Sequence, residues 1–142
     1  MSVLQDVRTV LLNALTSIPG IHIEPTWPES IDPPVIIIDL NQSNPIEYHA
    51  TGGVDGVSTI HFALHLLFSE ALIRDRLVDL DNYLMPQDDN SVKNALETIT
   101  PQALTSATLD WIIVKSVAKY GSTNVNGSPY IGVQFAVDVE VS

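Results

Sequence analysis

Cysteine is absent from this 142-residue chain, and basic residues are scarce. Without cysteine there is no disulfide, no thiolate nucleophile and no cysteine-bound metal, whereas reducing and oxidising compartments both stay open. Six Lys and Arg against 17 Asp and Glu give a formal net charge of -11. Because this average field repels phosphates, the composition argues against a thiol enzyme and against sequence-independent binding of nucleic acid.

Long apolar runs and a secretion-signal pattern are also lacking. No apolar stretch approaches the ~20 residues that span a bilayer, and the first residues mix acidic and basic side chains in an amphipathic pattern. A chain of this length buries roughly two-thirds of its unfolded surface in one core. We therefore expect a single domain over residues 1–142, soluble in the cytoplasm.

Signatures of catalysis and metal binding are missing as well. There is no Gly-x-Ser-x-Gly elbow, no phosphate-binding loop and no dinucleotide fingerprint. His61 and His65 have the spacing of zinc ligands on a helix, but on a strand their Cα atoms lie about 13 Å apart. The acidic residues from Asp79 to Asp89 lack the pattern of a calcium loop. We expect no enzyme activity, metal or cofactor.

The clearest positive signal is strict alternation from Tyr130 to Val141. Apolar side chains occupy every second position, and polar ones lie between them. Because strand side chains alternate between the two faces, this pattern predicts a long strand with one buried and one polar face. The core face consists of Ile131, Val133, Phe135, Val137, Val139 and Val141, and the other face carries Tyr130, Gln134, Asp138 and Glu140.

Helical spacing of apolar residues predicts a helix from Val3 to Ile18, with Ser2 as N-cap and Pro19-Gly20 ending it. Two further helices are predicted, one capped by Ser69 and running to about Leu84, and one from Asn90 or Ser91 to Glu97.

Extended segments fill most of the remaining chain. The apolar run Val35–Leu40 predicts a central strand, and Val57–Ser69 alternates like the final strand. Thr108–Tyr120 and Tyr130–Val141 predict an antiparallel pair joined by a polar loop. The fold class predicted is α+β: a mainly antiparallel sheet of four to five strands with an N-terminal helix and two central helices packed on it.

In the order of several short motifs, the chain resembles the bacteriophage tail terminator proteins, which join siphophage tails to heads. The resemblance covers nearly the whole chain, and the order and spacing of the motifs carry it. They are Ile18-Pro19-Gly20, Trp27-Pro28, Pro33-Pro34-Val35, Tyr48 before Gly52-Gly53, Arg74-Asp75, Leu80-Asp81-x-Tyr83-Leu84, Ser91-Val92-Lys93-x-Ala95-Leu96-Glu97, Tyr120-Gly121 and Tyr130-Ile131-Gly132-Val133.

The resemblance implies a structural virion protein that forms a ring, typically a hexamer, on the completed tail tube. Such a ring stops tube polymerisation and offers an attachment surface to the head connector, while DNA passes through it without specific binding. A ring needs heterologous contacts between two different patches. The alternatives are another neck or head-completion subunit and, more distantly, a monomeric ligand-binding domain.

Candidate contact residues lie in turns, on the hairpin loop and on the polar sheet face. Those expected at an interface are Tyr48, His49, Asp55, His61, His65, Asn124, Asn126 and Tyr130. Asp138 and Glu140 are candidates for lining the lumen, on the hypothesis that acidic groups there reduce adhesion of DNA phosphates.

Overall fold

The computed structural model describes residues 2–49, 56–69, 80–99 and 101–142. Of these, 47% lie in strands and 17% in helices. Strands and helices were predicted in the wrong numbers: the sheet has seven strands instead of four to five, and two complete helices, not three, lie within the described residues. The elements are α1 (Val3–Leu15), β1 (His22–Glu24), β2 (Val35–Leu40), β3 (Ile46–Tyr48), β4 (Ser58–Ser69), α2 (Val92–Glu97), β5 (Gln102–Ala103), β6 (Thr108–Val125) and β7 (Ser128–Val141).

The sheet curls into a half-barrel with the strand order β1-β2-β4-β7-β6-β5. β3 pairs with β4 alongside β2. β1 and β2 are parallel, and every other pair is antiparallel. β1, β3 and β5 have only two or three residues each. β1 and β3 fall within Ile21–Glu24 and Ile46–Ala50, which are possible short strands by sequence, whereas β5 was not predicted. Segments this short show no periodicity, so their pairing depends on the neighbouring strand and not on their own sequence.

Helix α1 begins with a reciprocal cap. The Gln5 N–H donates to Ser2 Oγ over 3.1 Å, and the Ser2 N–H donates to Gln5 Oε1 over 3.0 Å. This capping box satisfies two N–H groups that the first turn leaves without partners. The helix ends at Leu15, three residues before the predicted Ile18.

Helix α2 confirms the third predicted helix, with Ser91 as its N-cap; the Asn94 N–H donates to Ser91 Oγ over 3.2 Å. The second predicted helix falls mostly on residues 70–79, which lie outside the described ranges. Its expected cap, Ser69, is the last residue of β4, whereas Leu80 and Asp81 are helical.

The main core fills the space between one face of the sheet and the helices. Its largest fully buried side chains include Phe62, Phe135, Leu11 and Leu96. A second, smaller apolar cluster lies on the opposite sheet face. It comprises Val35, Ile37 and Leu67, with Ile31, Val125 and Tyr130 packed against them.

The β6–β7 hairpin is longer than predicted. Polar residues that we expected in a loop, from Ser122 to Val125, continue β6, and the connection shrinks to Asn126-Gly127. Both turn residues have positive φ, 52° and 82°. These angles are typical of the two-residue type I′ turn that fits the twist of paired strands.

Candidate functional site

A row of polar side chains crosses the centre of the sheet on the face opposite the main core. We call this the polar face and define it by the following residues of β4 and β7: Thr59, His61, Ala63, His65, Gln134, Ala136, Asp138 and Glu140. The antiparallel register places His61 opposite Asp138 and His65 opposite Gln134. Residues more than 60 positions apart in the chain thereby become direct neighbours.

His61, Asp138 and Lys115 form a polar cluster in the middle of this face. His61 Nδ1 lies 2.6 Å from Asp138 Oδ1, and Lys115 Nζ lies 3.3 Å from Asp138 Oδ2. Asp138 is only 8% exposed, so both partners compensate the charge of a buried carboxylate. The structure thus joins two of the predicted residues, while the lumen-lining role of Asp138 and Glu140 stays a prediction.

A second cluster joins His65 to two residues from β2 and the loop before it. The Trp27 Nε1–H donates to Asp39 Oδ2 over 2.8 Å, and His65 Nε2 lies 3.7 Å from the same oxygen. The rings of Trp27 and His65 have their centroids 4.9 Å apart at an interplanar angle of 47°. Asp39 Oδ1 accepts from the Leu40 N–H. These contacts fix the orientations of both rings.

Burial lowers the pKa of His65 below its ordinary value of 6.5, because the partly buried site disfavours the charged imidazolium. The Asp39 carboxylate opposes this shift, and the Lys119 ammonium reinforces it. The imidazole is therefore neutral at pH 7, and it offers one donor and one acceptor nitrogen.

Two adjoining cavities of about 340 and 320 Å³ extend on either side of the Trp27–His65 pair. They share the walls formed by Trp27, His65, Lys119 and Gln134, so together they make one continuous depression, which we call the polar groove. One end is lined by Asn41, Gln42 and Ser43, and the other by Thr123, Asn124, Val125 and Asn126. Five amide side chains belong to this lining, and each offers donors and acceptors.

Lys119 supplies the ammonium group of the polar groove. It lies in a β-bulge of β6 and adopts φ of 56°, in the left-handed region that few residues other than glycine occupy. Across the described part of the chain, no carboxylate lies within ion-pair distance of Lys119, whereas Lys93 and Lys115 pair with Glu97 and Asp138. An unpaired cation in so acidic a protein is available to an incoming anion.

The other predicted residues lie outside the polar groove. Tyr48 at the end of β3 is 79% exposed, and the neighbouring His49 places Nε2 2.6 Å from Thr59 Oγ1. Tyr130 packs against the smaller apolar cluster. Asp55 lies outside the described residues. Of the predicted set, the structure therefore brings His65, Asn124 and Asn126 together in one groove.

Sequence reasoning missed Asp39 and Lys119 as members of this site, and it named Trp27 only within the motif Trp27-Pro28. Asp39 carried a usable signal, since it is the one charged residue in the apolar run Val35–Leu40. Lys119 carried none, because its position depends on a bulge in β6.

Comparison with known proteins leaves the chain without an assigned family. No protein-family model matches it, and no curated protein matches it significantly. Within the described ranges, no helix is long and apolar enough to cross a membrane. Nor does any group of three or more His, Asp or Glu side chains in those ranges form a potential metal site.

Proposed function

We propose that this chain is a subunit of a tail-terminating ring, which copies of the chain form on the end of a completed phage tail tube. The ring, hexameric in our proposal, blocks addition of further tube subunits and presents its other side to the head connector. It belongs to the virion tail and assembles in the host cytoplasm. The motif order described above suggests this role.

The observation that carries the proposal is the free outer edge of β6. β5 pairs with β6 only at Thr108 and Leu109, and from Lys115 to Val125 no strand among the described residues covers that edge. Side chains from Lys115 to Tyr120 are exposed, including the apolar Val117. An uncovered edge with exposed apolar side chains is typical of a surface that a partner chain covers.

The opposite end of the sheet also ends in short strands. β1 and β3 each pair on one side only among the described residues, and Tyr48 of β3 is highly exposed. A subunit with different exposed patches at its two ends can associate head to tail, and closure of such contacts produces a ring. This asymmetry favours a ring-forming subunit over a monomeric ligand-binding domain.

Electron microscopy of tails assembled with and without the protein tests the proposal. We expect overlong tubes in its absence, and capped tubes of uniform length when the purified protein is added back. Val117→Asp should weaken capping because it places a charge at the β6 edge, whereas Asn13→Asp on the exposed side of α1 should cap normally. Tails of normal length that lack heads would instead support another neck subunit.

A further inference from the structure

We propose that the polar groove of one copy binds the segment Met85–Asn90 of a neighbouring copy. This contact rests on the proposed function, because it would supply the heterologous interface of the ring. The segment has the sequence Met-Pro-Gln-Asp-Asp-Asn and precedes α2.

Chemical complementarity supports the pairing. The polar groove offers the ring of Trp27, which is 40% exposed, and the ammonium of Lys119, which pairs with no carboxylate of the described residues. The segment offers the adjacent carboxylates of Asp88 and Asp89 and the side chain of Met85, which is 57% exposed. A carboxylate suits the ammonium, and a thioether packs favourably against an aromatic ring.

The amide side chains of the polar groove fit a polypeptide ligand. Gln42, Gln134 and Asn124 can each donate to a carbonyl and accept from a backbone N–H. Six residues span at most about 20 Å when extended, and the polar groove crosses four strands, which are spaced about 4.8 Å apart. Four strands are separated by three such spacings, so the segment is long enough to cross β2, β4, β7 and β6 at the level of His65.

Within one copy, the segment is held at α2 and not in the groove. The segment is tied to α2: the Asn94 side chain donates to the Pro86 carbonyl, and the Ser91 N–H donates to the Asp88 carbonyl. α2 buries Val92 and Leu96 in the main core, on the sheet face opposite the polar face. Because α2 holds the segment on the core side of the sheet, the contact that we propose forms between copies and joins two different patches.

Charge explains why this contact is selective. Two copies with a formal charge of -11 each repel over most of their surfaces. Asp39 lines only the cavity at the Asn41–Ser43 end, whereas Lys119 also lines the cavity at the Thr123–Asn126 end, where no carboxylate of the described residues lines the wall. An acidic segment is therefore attracted to that end, and Asp88 and Asp89 supply the carboxylates.

The absence of cysteine allows a clean cross-linking test. The single variants Gln42→Cys and Gln87→Cys, both at exposed positions, are mixed at high concentration and treated with a short bismaleimide. The test is made with free protein and again with purified tail tubes present. We expect mixed dimers at a rate well above that of Gln42→Cys mixed with Asn13→Cys. If Gln42→Cys cross-links to Gln87→Cys no faster than to Asn13→Cys, both with and without tubes, the proposal is overturned.

Charge reversal provides a second test of the same contact. Lys119→Glu in the groove partner should lower the cross-linking rate roughly threefold to tenfold, and Asp88→Lys with Asp89→Lys in the segment partner should restore it. Absence of rescue would contradict the assigned pairing. Capped tubes without mixed dimers would refute this contact alone, whereas mixed dimers with uncapped, overlong tubes would refute the proposed function alone.

Discussion

His61 and Asp138 face each other directly across β4 and β7, with His61 Nδ1 2.6 Å from Asp138 Oδ1. Lys115 of β6 reaches the second carboxylate oxygen, so one buried acidic group connects three strands. This arrangement places a charge-assisted network in the centre of a sheet whose other face is apolar.

Removing the charge of this buried carboxylate should destabilise the protein. We expect Asp138→Asn to lower the free energy of unfolding by about 1–3 kcal/mol, because His61 and Lys115 lose an ionised partner in a buried setting. Urea denaturation measures the change. Glu140→Gln is the matched control on the same face of β7 and should change the free energy by less than about 0.5 kcal/mol. Equal effects of the two variants would contradict the role given to Asp138.

The effect of the Lys119 ammonium on the pKa of His65 should be measurable by titration. We expect Lys119→Met to raise the pKa of His65, because the positive charge that disfavours the imidazolium is gone. NMR titration of the His65 ring protons provides the measurement. Lys119→Arg keeps the charge and should leave the pKa close to that of the unmodified protein. A His65 pKa that does not rise in Lys119→Met would contradict the electrostatic effect given to Lys119.

The lowered pKa of His65 also predicts a pH dependence of stability. Above the ordinary value of 6.5, both the folded and unfolded states hold His65 neutral, so its contribution is fully present. As the pH falls from 6.5 through the lowered folded pKa, the unfolded state binds the proton first and stability is lost. His65→Asn should therefore lose less stability between about pH 7.5 and pH 5 than the unmodified protein does. An identical loss in both proteins would refute this account.

Alternation made much of the polar face predictable. Odd-numbered residues of β4 and even-numbered residues of β7 were assigned to the less buried side, and the structure places His65 and Gln134 there as neighbours. The cap at Ser2 was predicted correctly, and the cap of α2 was narrowed to Asn90 or Ser91, of which the structure has Ser91. Such features depend only on nearby residues.

The polar groove could not be derived in the same way. It exists because β2 lies beside β4, which brings Asp39 and Trp27 to His65, and strand order is not encoded in local periodicity. The hairpin turn was missed for another reason. Asn126-Gly127 is a strong turn signal, but the surrounding Ser, Thr and Asn residues were interpreted as a loop although a solvent-exposed hairpin accommodates them.

Close strand contact at Gly132 leads to a packing prediction. A Cβ at this position would lie 2.5 Å from the Leu66 carbonyl oxygen and 2.8 Å from Leu67 Cδ2. Because the nearest atom is backbone and cannot rotate away, Gly132→Ala should destabilise the protein by roughly 1–3 kcal/mol. Thermal or urea unfolding measures the effect. Ala136→Ser is the comparison, a small change on the same face of β7 four positions along the strand. It should destabilise the protein clearly less than Gly132→Ala does.

The edge of β6 is secured at Val114 by two side chains of α2. The Val114 N–H donates to Glu97 Oε2 over 2.9 Å, and Lys93 Nζ lies 3.3 Å from the Val114 carbonyl oxygen. Lys93 and Glu97 also pair with each other, one helical turn apart. Together they satisfy the backbone groups that a neighbouring strand would otherwise bind.

Glu97→Ala should therefore expose this part of the edge. We expect faster hydrogen exchange at the Val114 N–H and a loss of about 1–2 kcal/mol in stability, since a charge-assisted hydrogen bond to a partly buried N–H is removed. Glu29→Ala, which removes an exposed carboxylate from the loop after Trp27, is the control and should leave exchange at Val114 unchanged. If Val114 exchanges at the same rate in both variants, the Glu97 contact does not protect the β6 edge, and protection there must come from packing of α2 alone.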